Sequence, residues 1–194
     1  MPTPHGTLDD PPPFSPAPSA AGASAAQHPS AAARSGYDAG LLVLRLVLGL
    51  ATAAHGSQKL FGWFDGNGLD ATGQFFSSVG YPAGRTMALV AGVTEGFGGL
   101  GLALGLCTPL AGAAVLGTML NAIAVTWSDG FFAPEGVEYA VVLGAGAATL
   151  ALAGPGRYAA DRLLPVLRDH RLSHGVAAVL LALVTAGAVL LTRS

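Results

Sequence analysis

An apolar segment that carries charged side chains constrains this chain most. Between Leu41 and Phe64, eight aliphatic residues surround Arg45, and His55 and Lys59 follow. At about 100° per residue, the three polar side chains fall within a sector of roughly 80° on one helix face. A guanidinium at the centre of a bilayer costs about 2.5–3.5 kcal/mol on insertion scales. This face is therefore predicted to contact protein or water rather than lipid.

The composition is that of an integral membrane protein. Of the 194 residues, 52% are hydrophobic and 10% are charged, whereas soluble domains contain about 25% charged residues. Five apolar runs have roughly the length of a membrane helix, about 40–61, 86–106, 110–127, 138–153 and 175–192, and the fourth is short. The predicted fold class is all-α, a polytopic transmembrane helix bundle in a lipid bilayer.

The sequence divides into three regions. Residues 1–36 are rich in Pro, Ala and Ser with few large aliphatics, so they are predicted to be disordered. Residues 37–164 form a predicted four-helix membrane domain, and residues 165–194 a linker with a fifth transmembrane helix.

The distribution of Lys and Arg predicts the orientation. With five spans, one side carries Arg34, Arg157, Arg162, Arg168 and Arg171, and the other carries Lys59, Arg85 and Arg193. The positive-inside rule then predicts a multi-pass protein of the cell membrane with a cytoplasmic N-terminus. The outward loop 62–85 is rich in aromatic residues. It is either an interfacial belt or a lid over a cavity, with a short surface helix from Asp70 to Val79.

Six polar residues form a candidate polar cavity at membrane depth: Arg45, His55, Lys59, Glu95, Asn121 and Glu138. A rise of 1.5 Å per residue places Glu95 between Arg45 and His55, so we expect either to pair with it. Glu138 is level with Lys59 or His55. Structural alternatives remain: an ion pair between helices for Arg45 and Glu95, interhelical hydrogen bonding for Asn121, and snorkelling for Lys59.

Several function classes do not fit the sequence. No basic cluster interleaved with aromatics is present, so nucleic acid is not an expected partner. The single cysteine, Cys107, excludes a dithiol within the chain. Haem with two axial histidines is not expected, because only His55 lies within a predicted span. No metal site is expected either, since His170 and His174 supply only two ligands.

These segments resemble the DoxX family of small membrane proteins over about 40–162. The motifs that carry the resemblance are LRL at 44–46, HGSQKLFGWF at 55–64, EGFGG at 95–99, LGLCTP at 104–109, GVEY at 136–139, GPGR at 154–157, and Asp161.

The resemblance implies a four-helix bundle, to which this chain adds a fifth helix. It also implies oxidoreductase machinery, because the related DoxD proteins belong to a thiosulfate:quinone oxidoreductase. Quinone is then the expected redox partner, and a soluble oxidoreductase the expected protein partner. One hypothesis is a membrane subunit that holds a quinone or small sulfur compound between the first, second and fourth helices. The other is a carrier or assembly scaffold without chemistry of its own.

Overall fold

The structure, a computed structural model, describes residues 31–132, 134, 136–164 and 170–193. Within these residues the chain is all-α, as predicted. Its helices are α1 (Ala31–Phe61), α2 (Gly68–Ser78), α3 (Gly84–Leu104), α4 (Thr108–Thr126), α5 (Glu138–Ala153) and α6 (Leu172–Leu190), with 3-10 turns at Trp127–Asp129 and Ala160–Leu163.

Four of these helices, α1, α3, α4 and α6, are long and apolar enough to cross a membrane. The fifth apolar helix, α5, has 16 residues and so extends about 24 Å, less than the ~30 Å hydrocarbon core. Large apolar side chains such as Val47, Phe97 and Val184 point away from the bundle and are exposed. Such surfaces suit acyl chains, and the chain is a multi-pass membrane protein.

Close backbone contacts between glycines set the antiparallel register of α1 and α3. A Cβ at Gly49 would stand 2.5 Å from the carbonyl oxygen of Gly99, and the reverse distance is also 2.5 Å. Seven residues, or about two turns, further along α1, a Cβ at Gly56 would overlap the backbone of Gly96. Small residues let membrane helices approach this closely. Glu95 is consequently level with Gly56.

The short surface helix expected near Asp70 to Val79 is present as α2, which packs against α3. The backbone approach is close here as well, since a Cβ at Gly73 would stand 2.8 Å from the Cα of Arg85.

Helix α4 is central and packs against α3, α5 and α6. The buried apolar core includes Leu48, Leu102, Val115 and Leu150. The C-termini of α1, α4 and α6 meet α2 and the N-termini of α3 and α5, and we call this the α2 end. The opposite end contains the turn from α3 to α4 and the segment after α5, and we call it the Asp161 end.

Helix α1 begins at Ala31, inside the region 1–36 that was predicted to be disordered. Residues 1–30 and 165–169, which belong to the predicted tail and linker, lie outside the described residues. The division of the chain into three regions stays a prediction.

Candidate functional site

Glu95 forms an ion pair with Lys59 inside the bundle. The Nζ atom of Lys59 lies 2.6 Å from Oε2 of Glu95, whose side chain is 4% exposed against 27% for Lys59. The expectation that Arg45 or His55 pairs with Glu95 is wrong. The glycine contacts place Glu95 about one turn deeper than Lys59, within reach of the long lysine side chain.

His55 forms a hydrogen bond with Tyr139, which joins α1 to the first turn of α5. The Nε2 atom of His55 is 2.9 Å from the hydroxyl oxygen of Tyr139, and the rings meet edge to face at 5.3 Å between centroids. Sequence reasoning quoted Tyr139 in a motif but did not include it among the cavity residues. The spacing to His55 along the chain gave no signal that the two would meet.

Asn121 is hydrogen-bonded to Tyr81, which lies between α2 and α3. The Tyr81 hydroxyl donates to Oδ1 of Asn121 at 3.0 Å, and Nδ2 of Asn121 donates to the Gly117 carbonyl at 2.9 Å. Burial raises the pKa of the Tyr81 hydroxyl above its usual range, while the nearby Arg193 guanidinium opposes that rise. Tyr81 is therefore a neutral donor at physiological pH.

These three groups line one cavity of about 600 Å³ at the α2 end. This volume lies within the usual range of small-molecule sites. Helix α2 borders the cavity with Thr72, Phe75 and Phe76, an arrangement that the lid interpretation requires. Most of the remaining wall is apolar. The cavity thus combines an apolar enclosure with a few convergent donors and acceptors.

Of the six predicted cavity residues, the structure brings four to this cavity, namely His55, Lys59, Glu95 and Asn121. Glu138 does not line it among the described residues. It opens α5, where its carboxylate is favourably placed at the positive end of the helix dipole. Its backbone N–H donates to the Phe131 carbonyl at 2.8 Å.

Arg45 lies at the Asp161 end, fully buried and ten residues, or about 15 Å, from His55 along α1. Its Nη2 donates to the carbonyl oxygen of Tyr158. Among the described residues, its Nε and Nη1 have no hydrogen-bond partner. Nη1 packs directly on Gly105, where a Cβ would overlap it. Close packing of this kind leaves no room for a ligand beside Nη1.

Asp161, beside Arg45, caps the N-terminus of α4. Its Oδ1 accepts from the Cys107 N–H at 2.6 Å, and its Oδ2 accepts from the N–H and hydroxyl of Thr108 at 3.0 and 2.9 Å. The Asp161 N–H donates in turn to the Gly105 carbonyl at 2.9 Å. Two polar clusters therefore exist: the cavity at the α2 end, and a packed cluster around Arg45 and Asp161.

The described residues contain no group of three or more His, Cys, Asp or Glu side chains placed to hold a metal ion. His170, one of the pair with helical spacing, uses its Nε2 to donate to the Leu152 carbonyl at 3.0 Å.

Comparison with protein-family models gives a match to DoxX over residues 40–128. This range extends from α1 to the turn after α4 and contains the four cavity residues that sequence reasoning placed there. Tyr139 and α6 lie beyond it. Comparisons with curated proteins and with solved structures give no match. The resemblance to DoxX is confirmed over residues 40–128, somewhat less than half of the 194 residues, and the chain is a multi-pass membrane protein that is similar to DoxX over this range.

Proposed function

We propose that this chain is the membrane subunit of an oxidoreductase and binds a quinone in the cavity at the α2 end. The observation that carries the proposal is the cavity itself. The cavity is an apolar enclosure of about 600 Å³ inside the bundle. Its wall carries the hydrogen-bonded pair His55–Tyr139 and the ion pair Lys59–Glu95.

The donor set fits a quinone head group. A quinone ring is flat and apolar on its faces, and its two carbonyl oxygens accept hydrogen bonds. His55, Tyr139 and Lys59 supply an imidazole, a phenol and an ammonium group on one side of the cavity. These groups orient the ring and stabilise negative charge that develops on an oxygen during reduction.

The same residues handle the protons. Reduction of a quinone to a quinol consumes two electrons and two protons. Both partners in the His55–Tyr139 hydrogen bond can donate and accept, so a proton can pass along it to a quinone oxygen. Glu95, which is paired with Lys59 on the cavity wall, relays the second proton. The electrons come from a soluble oxidoreductase partner or from a small sulfur compound, which is oxidised in the same turnover.

The orientation in the membrane is part of the proposal. Four described arginines lie at the Asp161 end, namely Arg34, Arg157, Arg162 and Arg171, whereas the α2 end carries Lys59, Arg85 and Arg193. Lys59 is engaged with Glu95, and Arg85 forms an exposed ion pair with Asp70 at 2.7 Å. By the positive-inside rule the Asp161 end and the N-terminus are cytoplasmic, and the cavity faces outward.

Gently purified protein tests the proposal. We expect mass spectrometry to find a bound quinone and a co-purifying oxidoreductase chain. Replacing His55 or Glu95 is expected to abolish substrate-linked quinone reduction while the protein still inserts into the membrane. Undiminished reduction in both variants contradicts the proposal. Solute uptake by proteoliposomes without any redox change in added quinone favours the carrier hypothesis instead.

A further inference from the structure

The cavity continues between α3 and α6. Both helices pack against α4, but within the described residues they make little contact with each other. Val90 and Ala91 of α3 line the cavity on one side, and Thr185 and Ala186 of α6 line it on the other. Small residues of α4, including Gly117, form the floor between them. The two helices are thus the walls of a cleft rather than a closed seam.

This cleft lies at membrane depth. Val90 is six residues, or about 9 Å, from the start of α3, and Thr185 is five residues, or about 7.5 Å, from the end of α6. Both residues line the cavity and are also exposed, Val90 by 53%. A residue with both properties lies where a cavity meets its surroundings. At this depth the surroundings are acyl chains.

The cleft is apolar, whereas the polar groups lie deeper in the cavity. The Thr185 hydroxyl donates to the Leu181 carbonyl at 2.8 Å, so its one donor is used within its own helix. Val90, Ala91 and Ala186 carry no polar side-chain atoms. A flexible hydrocarbon chain can pack in such a cleft, whereas the polar groups of a water-soluble molecule would find few hydrogen-bond partners there.

We propose that the cavity opens sideways into the bilayer between α3 and α6, and that its ligand is a lipid-soluble molecule with a polar ring at the His55 end and an apolar tail in the cleft. This inference rests on the proposed function and specifies the ligand class of the same site. It assigns a role to α6, which lies outside the family match: the added helix forms one wall of the tail site.

Four single substitutions test the cleft. Val90→Trp and Thr185→Trp place a bulky ring in the cleft at exposed positions, where we expect the fold to be retained. Leu89→Trp and Val184→Trp are the matched controls, because each is the exposed neighbour on the same helix and does not line the cavity. Helical content and elution as a single species check that all four variants are folded.

The measurement is equilibrium binding in nanodiscs of two quinones with the same ring, one with a long isoprenoid tail and one without a tail. In V90W and T185W we expect the tailed quinone to bind at least about tenfold more weakly, because overpacking a filled site is costly. The tailless quinone is expected to bind within about twofold of wild type. Both controls are expected to bind both quinones like wild type.

Equal affinity of all variants for the tailed quinone overturns the lateral cleft while leaving the quinone proposal intact. If wild type binds neither quinone, the proposed function fails, and the cleft is then judged by native mass spectrometry. A lipophilic molecule that co-purifies with wild type and both controls but is lost from V90W and T185W supports the lateral cleft, with a ligand whose polar ring is not a quinone. Equal retention in all variants, or no such molecule in wild type, overturns it.

Discussion

Lys59 turns inward from the last turn of α1 and pairs with Glu95 at 2.6 Å, although lysines near membrane helix ends commonly extend toward the headgroups. The pair spans α1 and α3 on the wall of the cavity. An ion pair in this position keeps a carboxylate inside the bundle without leaving it alone among apolar groups.

Removing one partner of this pair is expected to cost more than removing both. Lys59→Met leaves the Glu95 carboxylate buried and unpaired, which we expect to destabilise the protein by about 3–5 kcal/mol. The double variant K59M/E95Q neutralises both groups and is expected to recover most of that loss. Reversible unfolding in mild detergent, carried through the complete double-mutant cycle, measures both effects.

The exposed pair Arg85–Asp70 is the control, because its side chains are 70% and 80% exposed. Asp70→Asn is expected to change stability by less than about 1 kcal/mol. Additive effects of K59M and E95Q contradict the coupling described here.

Tyr139 is expected to affect turnover more than binding. Tyr139→Phe keeps the ring against His55 but removes the hydroxyl from their 2.9 Å hydrogen bond. If this hydrogen bond carries a proton to the quinone, kcat for quinone reduction falls by about 10²-fold or more, within the usual range for a lost acid–base group. The KM for quinone is expected to change by less than about threefold, since the apolar cavity wall is retained.

Tyr158→Phe is the matched control for this prediction. Tyr158 engages Arg45 through its main-chain carbonyl, so loss of its hydroxyl leaves that hydrogen bond intact. Equal kcat values for wild type and Y139F exclude the proton path through Tyr139.

Because α1 and α3 approach closely at only some positions, alanine substitutions at two glycines of α1 are expected to change stability in opposite directions. An added Cβ at Gly49 would stand 2.5 Å from backbone atoms of α3, whereas one at Gly40 meets nothing within 4 Å. Gly49→Ala is therefore expected to destabilise the protein by about 1–3 kcal/mol through overpacking. Gly40→Ala is expected to be neutral or to stabilise it by up to about 1 kcal/mol, as alanine does in a helix. Thermal unfolding of both variants in one detergent checks the difference in sign.

The helices were predictable because their signal is local. Apolar runs of membrane length place α3, α4 and α6 within three residues of their observed starts, and Glu138 begins α5 as expected. The partner of Glu95 was not predictable. It depends on the register between α1 and α3. The estimate from span lengths placed Glu95 between Arg45 and His55, whereas the glycine contacts place it level with Gly56.

The hydrogen-bond partners that complete the polar groups of the cavity were missed for a related reason. Tyr81 lies in an aromatic loop whose composition suits an interfacial belt, so nothing in the sequence indicated its hydrogen bond to Asn121. Tyr139 is adjacent to Glu138, and the two side chains differ in direction by about 100° around α5. Because charged residues were preferred as cavity candidates, Glu138 was predicted in place of Tyr139. Contacts between residues distant in sequence carry no periodic signal.

The carboxylate of Asp161 is expected to stabilise this end of the bundle through its hydrogen bonds rather than through side-chain packing. It accepts three hydrogen bonds from Cys107 and Thr108, two of which satisfy backbone donors at the first turn of α4. Asp161→Ala is expected to cost about 2–4 kcal/mol, more than the roughly 1 kcal/mol of a single cap, because it strands buried donors and removes the carboxylate beside Arg45. Asp161→Asn keeps one acceptor oxygen and is expected to cost less.

Asp129→Asn, a substitution at an exposed position after α4, is the control. Its stability should be within about 0.5 kcal/mol of wild type. Because the Asp161 end lies about 15 Å from His55 along α1, affinity of folded D161N for quinone should stay at the wild-type value. Quinone binding that weakens in parallel with stability would show instead that the two clusters are coupled through α1.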